Sequence, residues 1–85
     1  MRLTFVDESW EDYLYWQRSD KMIVKKINEL IKDISRTPFT GIGKPEPLKY
    51  KYKGYWSRRI DHENRLIYRV SEDQIWIAKC RHHYD

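Results

Sequence analysis

The chain has 85 residues, a net charge of +4, four Trp, seven Tyr and a single cysteine. That length suits one domain, residues 1–85, with a core built from large side chains. No stretch could span a bilayer, the opening apolar run is too short for a secretion signal, and a lone Cys80 excludes an internal disulfide. The expectation is a cytoplasmic protein with no membrane partner, no metal site and no cofactor.

The charge is uneven. Residues 1–43 carry seven basic and seven acidic side chains, whereas residues 44–85 carry ten and six. Between Lys44 and Arg59 six cations surround one acid, Glu46. Such asymmetry points to a polyanionic partner.

In chain order, residues 2–6 read as a short strand. Asp7 offers an N-cap to a first helix, with Glu8, Glu11 and Asp12 favouring its positive end. Trp10, Tyr13, Leu14 and Gln17 recur at helical spacing. Ser19 caps a second helix reaching about residue 36, whose apolar stripe is Ile23, Ile27, Leu30, Ile31 and Ile34. Thr37-Pro38 ends it, because the residue before proline avoids helical geometry. Residues 38–47, with two glycines and three prolines, form a stiff loop.

The period then becomes two. Leu48, Tyr50 and Tyr52 alternate with Lys49, Lys51 and Lys53, and a turn at Gly54 leads to a strand over 55–60. After the polar turn Asp61-His62-Glu63-Asn64, Leu66, Tyr68 and Val70 alternate with Arg65, Ile67 and Arg69. A turn at 71–73 and a last strand over about 74–80 lead into Arg81-His82-His83-Tyr84-Asp85. Alternate residues share a sheet face. Lys49, Lys51, Lys53, Arg59, Arg65 and Arg69 therefore gather on one side. Leu48, Tyr50, Tyr52, Trp56, Ile60, Leu66, Tyr68 and Val70 face the helices. Arg58 falls on the apolar parity and is placed at an edge or bulge. The predicted fold is α+β: an N-terminal strand and a two-helix hairpin packed on an antiparallel sheet whose other face is positive.

Cleaving RNA without a metal needs a base for the 2′-hydroxyl, an acid for the departing 5′-oxygen and a cation for the phosphate. Glu46, held between Pro45 and Pro47 at the rim of the basic face, is the candidate base. Arg65 is a candidate phosphate clamp, because a guanidinium fork matches phosphate oxygens. Lys49, Lys51, Lys53 and Arg59 supplement it. Histidine is the natural proton donor near neutral pH, and spacing does not choose between His82 and His83. Tyr84 offers a ring for stacking on a base. Two other readings stand beside this one. A basic face alone fits a non-catalytic nucleic-acid-binding module, and surplus aromatics such as Trp10 and Trp16 fit a protein-interaction surface. Cys80 reads as a buried strand residue.

Ordered blocks run nearly end to end and resemble the YoeB family of toxin–antitoxin toxins, within the RelE-like superfamily. They are Glu8-Ser9-Trp10, Tyr13-Leu14-Tyr15-Trp16, the helix from Ile23 to Lys32, Gly43-Lys44-Pro45-Glu46-Pro47-Leu48-Lys49, Trp56-Ser57-Arg58-Arg59-Ile60, Arg65-Leu66 and His83-Tyr84. The resemblance implies a microbial-ribonuclease-like fold. It also implies a ribosome-dependent mRNA endonuclease acting in the ribosomal A site, beside 16S rRNA. It places the general base at Glu46, the general acid at His83 and phosphate stabilisation at Arg65, with Lys49, Arg59 and Tyr84 in support. The product it implies is a 2′,3′-cyclic phosphate. Its implied partners are mRNA, the ribosome, an inhibitory YefM-type antitoxin and a second copy in a homodimer, with DNA reached only through the antitoxin complex. Two departures stand out: a histidine at His82, where Tyr or another residue is expected, and Asp85 beyond the usual terminal Tyr.

Overall fold

The computed structural model describes residues 1–82. The chain runs β1 (Arg2–Phe5), α1 (Asp7–Ser19), α2 (Lys21–Arg36), β2 (Glu46–Pro47), a 3-10 turn (Tyr50–Tyr52), β3 (Trp56–Arg59), β4 (Arg65–Ser71) and β5 (Gln74–Lys79). The strands form one five-stranded sheet in the order β1-β5-β4-β3-β2. β2 to β5 pair antiparallel as expected, but β1 lies parallel to β5, so the sheet is mixed. Parallel neighbours need a long connection. Here everything from the helical hairpin to β4 intervenes.

The core is α2 on the sheet. Ile23, Ile27, Leu30 and Ile34 pack against Ile60, Leu66, Tyr68, Ile75, Ile77 and Cys80. Burying one such aliphatic side chain stabilises the fold by about 1.5–3 kcal/mol. α1 adds the half-buried Tyr13 and Trp16. Its Ser9 is buried and donates to the carbonyls of Ile77 (2.6 Å) and Val6 (3.0 Å).

Three local expectations are corrected. Asp20, not Ser19, caps α2, accepting from the N–H groups of Met22 and Ile23. The N-cap of α1 is Val6, without a side-chain bond, and Asp7 is the first helical residue. The lysine-rich segment is a turn rather than a strand: only Glu46 and Pro47 pair with β3, and Tyr50 is 92% exposed instead of facing the helices. Tyr50 adopts φ +59, and the N–H of Lys53 donates to its carbonyl at 3.0 Å.

Candidate active site

Residues paired across a sheet share a face. Glu46 opposes Ser57, Ser57 opposes Ile67, and Ile67 opposes Lys79. This row crosses four strands on the side away from the helices. In the adjacent row Arg59 opposes Arg65. Like charges directly opposite destabilise a strand pair, and an anion between them relieves that cost. Arg59 is exposed, and its backbone N–H donates to the carbonyl of Gly43 at 2.7 Å. Arg65 is half-buried. Its Nη1 donates to the carbonyls of Asp61 (3.0 Å), Asn64 (3.2 Å) and His62 (3.5 Å). An open cleft of about 770 Å³ is lined by Lys26, Gly43, Lys44, Arg59, Asp61 and Arg65, among others.

The structure brings Glu46, Arg59 and Arg65 onto one face. It does not gather all six predicted cations there. Lys49 caps the 3-10 turn, while Lys51 and Lys53 lie in and after it, all three exposed; Lys51 Nζ sits 5.3 Å from the Tyr52 ring. Arg69 does share the face of Arg65 and Ile67, but it is held among aromatics, 5.7 Å from Tyr55 and 5.2 Å from Trp76, and donates to Ser71 Oγ. Lys79, on the same face as Glu46, lies 5.7 Å from the Tyr52 ring and 4.0 Å from Glu8; its hydrogen bond with Tyr52 raises its pKa. His83, Tyr84 and Asp85 lie outside the described residues.

Beneath this face is a network that the alternation pattern misplaced. Arg58 is fully buried, not at an edge or bulge. Its Nη1 donates to Asp33 Oδ2 at 2.6 Å and to the Ile42 carbonyl. Its Nη2 donates to the carbonyls of Thr37 and Thr40, and its Nε to the Tyr68 hydroxyl. Tyr68 in turn donates to the Pro38 carbonyl at 2.6 Å. The Arg58 guanidinium therefore carries the loop between α2 and β2, wrapped around it, and holds the Asp33 carboxyl below its usual value. This loop leads directly to Glu46. The signal was present in the sequence: Asp33 is the one acid beside Leu30 and Ile34 on the apolar stripe of α2, and Arg58 is the one cation on the apolar parity of β3. A buried charge requires an opposite charge facing it.

The chain after β5 is clamped. The Cys80 N–H donates to Asp12 Oδ2 at 3.1 Å, and Trp16 Nε1 donates to the Cys80 carbonyl at 2.8 Å. Burial raises the Asp12 pKa and lifts the Cys80 thiol to about 12, which fits an inert buried thiol. Among the described residues, no helix is long and apolar enough to cross a membrane. Among the described residues, no cluster of three or more His, Cys, Asp or Glu could hold a metal.

Two helices on one side of a sheet, with a carboxylate beside facing arginines on the other, define a small α+β domain with charged residues gathered on its open face. Residues 5–84 match the family profile described as the YoeB-like toxin of bacterial type II toxin–antitoxin systems. Toxin YoeB of Escherichia coli is 64% identical over 84 residues, covering 99% of this chain and all of that one. A YoeB/ParE toxin from Agrobacterium tumefaciens superposes with TM-score 0.97 at 52% identity, covering 99% and 100% of the two chains. The YoeB dimer and the YoeB–YefM complex of Staphylococcus aureus superpose at 0.93 and 0.92, with 53% and 52% identity, each covering 99% of this chain and 98% of the other. The chain belongs to the YoeB-like toxin family of bacterial type II toxin–antitoxin systems.

Proposed function

We propose that this toxin is a ribosome-dependent mRNA endoribonuclease that cuts message in the A site, beside 16S rRNA, by metal-independent general acid–base catalysis. The observation that carries the reading is the register of the open face, where Glu46 lies one row from the facing pair Arg59 and Arg65. Glu46 takes the 2′-hydroxyl proton, and the 2′-oxygen attacks phosphorus. Arg65, with Arg59 and Lys49, stabilises the charge that builds on the phosphate. His83 gives a proton to the departing 5′-oxygen as the P–O5′ bond breaks. The products are a 2′,3′-cyclic phosphate and a 5′-hydroxyl. Tyr84 stacks on a base. Lys51 and Lys53, exposed on the turn beside β2, add sequence-independent attraction to the RNA backbone.

Family membership also supports inhibition by a YefM-type antitoxin and a homodimer; the Staphylococcus aureus relatives include a YoeB dimer and a YoeB–YefM complex. DNA is reached only through the antitoxin complex, and the site of action is the cytoplasm, where the ribosomes are.

The test incubates purified protein with translating ribosomes and maps mRNA ends, for wild type, Glu46→Gln and His83→Gln. Each variant should cut about 10²–10⁴-fold more slowly, the usual contribution of a general acid or base. Wild-type rates in both would overturn the assignment. Salt-sensitive RNA binding without cleavage, even on ribosomes, would favour a binding module instead. Cleavage abolished by EDTA while the ribosomes stay intact would overturn the metal-independent mechanism.

A further inference from the structure

The polar turn between β3 and β4 holds two things at once. On one side, the Asp61, His62 and Asn64 carbonyls accept from Arg65 Nη1. On the other, Asn64 Oδ1 accepts from the backbone N–H of His82 at 2.7 Å. The His82 carbonyl accepts from the Arg65 N–H at 3.0 Å. Both polar backbone groups of His82 are thus bound within this one turn and the first residue of β4. His82 needs such holding, because it adopts φ +67, a left-handed conformation that costs a non-glycine residue energy unless its surroundings impose it.

Asn64 is 8% exposed and fully engaged. Its Nδ2 donates to Asp61 Oδ1 (3.1 Å) and Oδ2 (3.3 Å). Asp61 Oδ1 also accepts from the backbone N–H groups of Glu63 (2.9 Å) and Asn64 (2.7 Å). The amide can therefore present only its oxygen to His82. A carboxylate at 64 would still accept from His82 but would face the Asp61 carboxylate. An alanine would leave a nearly buried N–H without its acceptor.

We infer that Asn64, oriented by Asp61, is a positioning residue for the proposed reaction: it fixes the chain at His82 against Arg65, one residue before His83 in the sequence. The inference rests on the reading of His83 as the general acid. It gives the turn a role in the reaction that charge pattern and strand alternation did not assign, and it accounts for the strained backbone one residue before that acid.

The test measures single-turnover mRNA cleavage on ribosomes for Asn64→Ala, Asn64→Asp and the exchanged pair Asp61→Asn/Asn64→Asp. The expected result is at least a 10-fold fall in the rate constant for each single variant, with half-saturating toxin concentration within about 3-fold of wild type. The exchanged pair restores an amide facing a carboxylate and should recover most of the rate. That rescue keeps the idea testable if Asn64→Ala does not fold. The rate is also measured with Asn64→Asp placed in His83→Gln, where the Asn64 effect should vanish, because residues acting through one another are non-additive. The same fold-loss in both backgrounds, or a wild-type rate for Asn64→Asp, or no rescue by the exchange, would overturn the positioning role while leaving the nuclease reading intact. A wild-type rate for His83→Gln alone would overturn the acid assignment and this role with it.

Discussion

Arg58 is the residue on which most of the buried polar structure depends. Its guanidinium is 0% exposed and its partner carboxylate 11%. Removing one member of such a pair leaves an unpaired buried charge, which typically costs about 3–5 kcal/mol. Arg58→Met should lose stability approaching that order in urea unfolding, since it leaves Asp33 with only the largely exposed Arg36 and the Ile42 N–H and takes the donor from the Thr37 and Thr40 carbonyls. Adding Asp33→Leu should recover only part of the loss, because the loop carbonyls still lack their donor. A cost under about 1 kcal/mol for Arg58→Met would show that the network does not hold the loop. The pair was legible from Arg58's parity and Asp33's place on the stripe. Its hydrogen bonds to the loop were not, because a sequence pattern shows which face a residue takes and not which carbonyls wrap around it.

Among the elements, the loop between α2 and β2 decides where Glu46 stands. Gly41 has φ +120, and a Cβ there would collide with the Asp33 carboxylate and come within 3.2 Å of Arg58 Nη1. Gly41→Ala should therefore destabilise the fold by roughly 1–3 kcal/mol through backbone strain alone, with the disturbed ion pair adding to it. Thermal unfolding reads this directly, and an unchanged midpoint would contradict the geometry. The glycines and prolines marked the segment as a defined connection. The Lys49–Lys53 alternation misled, because residues between Leu48 and Tyr55 serve to reverse the chain between β2 and β3. The Leu48 N–H donates to the Tyr55 carbonyl, and the next bonds run within the turn. The β4–β5 turn was legible and is tighter, with Glu72 and Asp73 both at positive φ between the paired Ser71 and Gln74. That is the geometry that two-residue hairpins favour.

For the whole molecule, acid stability follows from carboxylates shifted in opposite directions. The Asp33 carboxyl is held down by Arg58, then by the Ile42 N–H. Burial pushes Asp61 up, but the Asn64 and Glu63 N–H groups outweigh it and lower it. Stability from these two is fully present above the ordinary aspartate value of 3.8 and is lost as pH falls through their depressed values. Asp12, raised chiefly by burial, has the opposite sign and favours the fold as pH falls from its raised value to 3.8. Below 3.8 the wild-type melting midpoint should fall with pH. Asp33→Asn, less stable at neutral pH, should fall less steeply. Parallel acid limbs would refute the assignment to Asp33.

The sequence by itself determined the α+β class, the helical hairpin and its apolar stripe, the antiparallel pairing of the last three strands, and the family. Periodicity, turn residues and the ordered blocks are local properties of the chain. It also placed Arg59 and Arg65 on one face, since parity alone does that. Only the tertiary structure decided that β1 joins β5 in parallel, that Arg58 is buried against Asp33, and that Asn64 grips the backbone of His82. Those outcomes depend on groups 18 to 72 positions apart meeting in space (His82 with Asn64, Arg58 with Asp33, Arg2 with Gln74), and no short-range pattern records which distant donor finds which acceptor.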